Sequence, residues 1–301
     1  MLGEPGLCGM SGISNAEPVS SDAIPAPSEE TVGDRAHFPA SQSRARLASY
    51  REWGAAGAGG QSHAACAIIN ADDWGESAAT TGKIWDCIRA GSVTAVSGMV
   101  FMADSERGAE IARAGGVDVG LHLNLTGPPS QPGLPQRLRE HHGAVASYLR
   151  RSRLSRYLYH PALAPSFEYL VASQLEEFQR LYGEQPLRID GHHHMHLCAN
   201  VVLGRLLPPG IVIRRNFSFE RGEEGWWNRS ARSVFDSVLA RRHRMVDAFV
   251  PLKPVSPARL ASVFSRARRQ VVEIGTHPAR ADEYDFLTGD RVFRMAEPRS
   301  S

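Results

Sequence analysis

Five short runs of β-branched or apolar residues carry side chains that bind metal, move protons or clamp anions. Asp72 and Asp73 follow residues 65–70; His122 lies within 117–125; Asp190 and His192 close 187–190; Arg214 and Arg215 close 211–214; His277 follows 271–276. In a parallel sheet or barrel the carboxyl ends of the strands share one face, so residues distant in sequence meet there. That face would hold a carboxylate pair, imidazoles and a guanidinium. One Asp and two His suit a divalent ion with positions left open for water. Such an ion lowers the pKa of its water and polarises a carbonyl oxygen, which opens an inert amide to attack near neutral pH. A second carboxylate can take the proton of that water while another His protonates the departing amine.

Each piece also has a plainer reading. Two adjacent Asp residues after a strand often cap a helix. His122, between Leu121 and Leu123, can be a satisfied core histidine. Arg214 and Arg215 read more readily as surface or salt-bridge residues than as substrate clamps. The run from Asp190 to His196 is harder to dismiss. It holds four imidazoles in five positions, a poor choice for a core and a composition associated with metal.

The elements that would position these residues follow from the hydrophobic pattern. From residue 65 onward, β-branched runs alternate with helical patterns, the mark of repeated βα units. Strands are predicted at 65–70, 93–102, 117–125, 187–190, 211–214, 248–252 and 271–276, and helices at 77–90 and 105–114. A helix carrying Phe167, Leu170, Val171, Gln174, Leu175, Phe178 and Leu181 on one face stops at Gly183 and Pro186, and another opens at Pro257. The segment 127–161 is predicted to roof the site. Residues 1–62 are rich in Ala, Gly, Ser, Pro and Glu without a sustained period, and read as a disordered extension preceding one domain over 63–301.

Composition narrows the function classes. A net charge of +2 does not argue for nucleic acid, and the local Arg clusters at 150–156, 241–244 and 266–269 read as solvated helix faces. No apolar run approaches the roughly 18–20 residues of a membrane span. The four cysteines lack close pairing, and Met1–Ser20 has neither the basic start nor the apolar stretch of a secretory signal. The expectation is a reduced, cytoplasmic protein.

Five segments resemble one family: Asn70-Ala-Asp-Asp-Trp-Gly75, Val93-Thr-Ala-Val96, Gly120-Leu-His-Leu-Asn-Leu-Thr126, Ile189-Asp-Gly-His-His-His-Met-His196 and Glu273-Ile-Gly-Thr-His-Pro278. In order and spacing they are similar to the YdjC-like carbohydrate deacetylases, which include chitooligosaccharide deacetylases and relatives associated with hopanoid biosynthesis. The resemblance implies an α/β fold, an irregular, TIM-like (β/α) barrel akin to polysaccharide deacetylases. It implies that Asp73, His122 and His192 bind the metal, that Asp72 is the catalytic base, and that His277 is the general acid. Asp190 would orient an imidazole, with Trp74, His194 and Arg214 around the site as orienting or substrate-facing residues; Trp74 would form an aromatic wall where the family more usually has Phe. Gly75 would allow the turn into the first helix.

The expected activity is therefore hydrolytic removal of acetyl from an N-acetylated sugar, a chitooligosaccharide or a glycolipid, by water activated on one divalent ion. Nitrogen and oxygen ligands suit zinc, manganese or cobalt at least as well as magnesium, which the family is described as binding. The expected partner is that sugar or glycolipid, with a homodimer as the candidate assembly. The competing readings are a related metal hydrolase acting on another acyl or phosphoryl group, and a sugar-binding protein without turnover.

Overall fold

A computed structural model of the chain describes residues 47–52, 65–218, 236–290 and 292. Seven strands form one all-parallel, curled sheet: β1 (Cys66–Trp74), β2 (Ala95–Gly98), β3 (Val119–Leu123), β4 (Arg188–Gly191), β5 (Val212–Ile213), β6 (Ala248–Pro251) and β7 (Val271–Thr276). The order across the sheet is β5-β4-β3-β2-β1-β7-β6, so the last strand lies beside the first, as in a (β/α) barrel. Among the described residues the two edges of the sheet are joined only by isolated contacts. Val212 forms a parallel bridge with Arg244, ahead of β6, and Ser218 N donates to Phe249 O at 2.8 Å. All seven predicted strands are present; 271–276 matches β7 end to end, β1 runs on to Trp74, and the others are shorter or displaced at their ends.

The helices are α1 (Ala78–Arg89), α2 (Ser105–Gly115), α3 (Gln136–Arg151), α4 (Ala164–Tyr182), the short α5 (Ala199–Leu203), α6 (Pro257–Ala267) and α7 (Ala281–Thr288). Their ends follow local chemistry. The Ser77 hydroxyl caps α1 by accepting from Thr80 N, and Gly183, at φ 78°, ends α4 in the left-handed conformation. Gly75, at φ 85°, makes the turn from β1 toward α1. Helix α4 buries Phe167, Leu170, Val171, Phe178 and Leu181 against the sheet. Its one buried polar residue, Gln174, accepts from Asn124 N at 2.7 Å and donates to Asn124 O at 2.9 Å, so a helix on the outside fixes the chain leaving β3.

Strand alternation sorts the residues of β1 cleanly. Ala67, Ile69 and Ala71 join the outer core under the helices, whereas Cys66 and Ile68 face the barrel interior with Ala95, Val212 and Val271. The next interior positions upward are polar: Asn70 and Asp72 on β1, Ser97 on β2, Arg188 and Asp190 on β4, Glu273 on β7, all buried. The interior is thus an apolar floor, a buried polar layer, and the site above it. Gly120 makes room in that layer, because a Cβ there would lie 2.7 Å from the Arg188 guanidinium carbon.

The floor is completed by residues expected to belong to the disordered extension. Leu47 bridges Ala67, Ala48 N donates to Ala67 O at 3.0 Å, and Tyr50 is buried with its ring 4.3 Å from the Arg188 guanidinium and its hydroxyl toward Glu273. The reading of 1–62 as disordered therefore fails at 47–52, where Leu47, Ala48 and Tyr50 pack on the sheet, Arg51 N donates to Asp118 at 2.9 Å and the Arg51 guanidinium pairs with Glu184; 1–46 and 53–64 lie outside the described residues. The segment 127–161 is loop at its start, 127–135, and helical after it. Its central part is helix α3, because Leu138, Val145 and Leu149 give it an apolar face against the outer core. Cys66, Cys87 and Cys198 are buried and free, Cys8 is outside the described residues, and no described helix is long and apolar enough to cross a membrane.

Truncating Tyr50 opens the floor. Tyr50→Ala should lower the unfolding free energy by about 3 kcal/mol, and Tyr50→Phe by about 1 kcal/mol, as read from urea unfolding curves.

Candidate active site

At the carboxyl end of the strands lies a cavity of about 390 Å³, lined by Asp72, Asp73 and His122, by His192–His194, by Phe217 and Phe249, and by Lys253, His277 and Arg280 among others. Strand alternation alone would turn Asp72 inward and Asp73 outward. Asp73 escapes this because it sits at φ 67°, left-handed for a residue with a Cβ, where the β1–β2 register is interrupted. Both carboxylates consequently reach the cavity. Such strain, of order 1–3 kcal/mol, persists where surrounding contacts over-determine it.

Asp73 Oδ1 lies 3.4 Å from His122 Nε2 and 3.1 Å from His192 Nδ1. The three ligand atoms fall within 4.8 Å of one another. Ligands about 2.0–2.2 Å from a common ion sit roughly 3–3.5 Å apart, so the residues fit a divalent cation. His122 adds a second indication. Its Nδ1 faces Asp190 Oδ1 at 2.7 Å, which holds the proton on that nitrogen and leaves Nε2 for an ion. Burial alone would pull the His122 pKa down; Asp190 and Asp73 outweigh it and push it up to about 10. Burial likewise raises the Asp73 carboxyl, but hydrogen bonds from His122 and His192 and their charge carry it well below the usual carboxylate range.

Asp72, His122 and Asp190 also cluster within ligand distance. There the carboxylates are already taken. Arg214, wholly buried, donates to Asp72 through Nη1 and Nη2 at 2.7 Å each, pairs with Asp190 through Nη2 at 2.6 Å, and donates to Glu273 through Nε at 2.6 Å. Asn70 Nδ2 donates to Asp72 Oδ1 and Ser97 Oγ to Asp190. Burial disfavours the charge on Asp72 and Asp190; Arg214 and His122 reverse the balance and lower both pKa values. Glu273, chiefly because of burial, is raised instead.

The histidine run is a 3-10 turn over His192–Leu197 in which His193 and His194 are left-handed, which folds the chain over the cavity. His194 packs edge-on to Phe217, ring centres 4.5 Å apart, and Phe217 stacks on Phe249. His196 does not reach the cavity; it is buried, with Nε2 2.9 Å from Arg214 O, and burial lowers its pKa to about 4. His277 stands opposite, about one-third exposed, its Nε2 3.8 Å from Asp72 Oδ2 and its backbone N donating to Glu283.

Two expected contributors stand elsewhere. Trp74 is fully buried with Nε1 donating to Gly108 O at 3.1 Å, so it packs between β1 and α2 and forms no wall; Phe217 and Phe249 line the cavity instead. Arg214 is no substrate clamp, because three carboxylates saturate its guanidinium below the floor of the cavity. Nor does any residue of 127–161 line it. Glu273, Asn70, Ser97 and Arg188 had no assigned role in the sequence reading, although a polar residue at an interior period inside an apolar strand is a usable signal. The two phenylalanines carried none.

Residues 66–298 match the sequence profile of the family described as YdjC-like protein. A chitooligosaccharide deacetylase of Klebsiella pneumoniae is 30% identical over 265 residues, covering 77% of this chain and 97% of the relative. A carbohydrate deacetylase of Mus musculus is 30% identical over 243 residues, covering 70% and 77%. A crystal structure from Enterococcus faecalis V583, of a protein named for cellobiose-phosphate cleavage, superposes with a TM-score of 0.54 at 21% identity, over 76% of this chain and 92% of its own, and so shares the fold.

Two outcomes follow from the buried charges. Arg214→Gln leaves Asp72 and Asp190 without their counter-charge and should destabilise the fold by about 3–5 kcal/mol in urea unfolding. His196 stays neutral in the fold down to about pH 4, whereas in the unfolded chain it protonates near 6.5. As pH falls from about 6.5 to 4 the unfolded state alone gains the proton, and His196 should subtract about 1.4 kcal/mol of stability per pH unit. Above that window it contributes no slope, and His196→Gln should flatten the dependence measured between pH 7 and 5.

Proposed function

Since the chain belongs to the YdjC-like family, we propose that it removes the acetyl group from an N-acetylated sugar, with a divalent ion held by Asp73, His122 and His192. The observation that carries this reading is the division of labour in one cavity. Three ligand atoms converge from Asp73, His122 and His192, while Asp72 and His277 stand beside them with no place in that set. When bound, the ion supplies a lowered pKa for nearby water and polarisation of the acetyl carbonyl.

The chain's own groups do the rest. Asp72 is ionised, and it cannot turn because Arg214 holds both of its oxygens. It accepts the proton of the attacking water. His277, exposed on the far side of Asp72, donates a proton to the departing amine, so acid and base duties fall to different residues. Asp190 keeps the His122 ring in the orientation that presents Nε2. Phe217, Phe249 and His194 offer a flat apolar wall for a sugar face, with Lys253 and Arg280 at the cavity for its hydroxyl groups. An N-acetylglucosamine unit, in an oligosaccharide or on a lipid, fits these requirements. The mixed donor set leaves zinc, magnesium, manganese and cobalt to be separated by experiment.

The test is acetate release from N-acetylglucosamine oligomers by metal-stripped protein before and after each ion is restored. Release should appear only with metal. Asp72→Asn should lower kcat about a hundred- to ten-thousand-fold while retaining stoichiometric metal, whereas His122→Ala and His192→Ala should lose the metal by elemental analysis. Unchanged metal content in both His variants would overturn the ligand assignment.

A further inference from the structure

Between α3 and α4 the chain runs through two single 3-10 turns, Ser155–Tyr157 and Pro161–Leu163. This is where the structure concentrates its exposed apolar surface. Among the described residues, Leu154 is 66% exposed, Tyr157 57%, Leu158 61% and Tyr159 44%, and the other large exposed apolar residues, Leu187, Leu203 and Val238, are scattered singly. Scattered ones are ordinary, whereas a contiguous group marks a surface that something covers.

The charge on the same segment has one sign. From His141 to Phe167 the sequence has Arg150, Arg151, Arg153 and Arg156 and no Asp or Glu. Among the described residues none of these four arginines is paired with a carboxylate; Arg150 and Arg151 end α3, and Arg156 lies in the first 3-10 turn. The reading of 150–156 as a solvated helix face fits Arg150 and Arg151, exposed on the last turn of α3, and fails at Arg153, which lies outside any helix. Arg150, Arg151, Ser147, Tyr148 and His160 surround an open cleft of about 550 Å³, where two guanidinium groups can meet a phosphodiester.

The segment is held in place. The Tyr148 hydroxyl contacts the carbonyls of Ser155 and Leu158 at 3.0 and 2.8 Å, and Asn200 of α5 pairs with His160 N and O at 2.9 and 3.0 Å. Helix α5 directly follows the histidine turn, so His160 is tied to the element that continues the chain from the cavity.

We propose that Arg150–Leu163 docks the protein on an anionic lipid bilayer, with Leu154, Tyr157 and Leu158 entering the headgroup layer and the four arginines meeting lipid phosphates. Charge complementarity selects this occupant. Cationic and apolar side chains alternate within one short segment, as a water–lipid boundary requires; a protein interface separates an apolar centre from a polar rim. A nucleic acid would need the arginines and leave the leucines without a partner.

The test is flotation of the full chain with vesicles of phosphatidylcholine alone or mixed with phosphatidylglycerol. The protein should float only with the anionic vesicles, and less as salt rises. Each Arg→Ser change among Arg150, Arg151, Arg153 and Arg156 should lower the partition coefficient about fivefold. Leu154→Ser with Leu158→Ser should lower it about tenfold or more, while Arg268→Ser with Arg269→Ser, in a second basic cluster, should leave it unchanged. Equal flotation with both vesicle types, or equal loss in the second-cluster variant, would overturn the proposal. So would binding to heparin that depends on the arginines but not the leucines, with no flotation. Acetate release from soluble oligomers should be unaltered in all patch variants. Its failure in the unaltered protein would remove the deacetylase reading and leave the docking result standing.

Discussion

A guanidinium with no access to water sits at the centre of this protein, and three carboxylates are arranged around it. Arg214 from the end of β5, Asp72 from β1, Asp190 from β4 and Glu273 from β7 are all buried. A buried charge without partners is strongly unfavourable, so these four strands are held to one relative position by the need to satisfy one another. The cluster is weak evidence for net stability. Its clearer effect is positional: both oxygens of Asp72 and one edge of Asp190 are fixed, and through Asp190 so is the His122 ring.

That constraint explains the layering of the barrel. Below the polar layer the interior is apolar and closed by Tyr50, which keeps water from the ion pairs. Above it, β1 departs from regular geometry at Asp73, and His193 and His194 do the same after β4. The strained residues lie where the chain must present adjacent side chains to the same cavity, which a strand with a period of two cannot do. Regular structure positions Asp72 and His122; left-handed backbone delivers Asp73, and His192 enters the cavity at the start of the 3-10 turn that follows β4. The candidate metal ligands come from both sources.

Much of this was legible in the chain. The alternation of β-branched runs and helical patterns located all seven strands and the main helices, because burial on both faces of a parallel strand leaves a continuous apolar run. The residues at strand ends pointed to one functional face. What misled was local composition. Residues 47–52 are too few to show a period, and their contacts are with strands far away in sequence. The family resemblance implied an aromatic wall at Trp74, but beyond the left-handed turn at Asp73 the indole lies on the helix side, donating to Gly108 O. The Arg150–Arg156 run looked like a helix face because charge alone does not reveal that α3 ends at Arg151.

By itself the sequence determined the fold class, the order of the strands along the chain and the set of side chains able to hold an ion and move protons, since these depend on periodicity and residue type. Only the tertiary structure decided which of them share a point in space. It separated Asp73, free to join His122 and His192, from Asp72 and Asp190, whose carboxylates are committed to Arg214. The reason is physical: occupancy of a carboxylate by a buried cation depends on long-range packing across four strands, and no short stretch of residues encodes it.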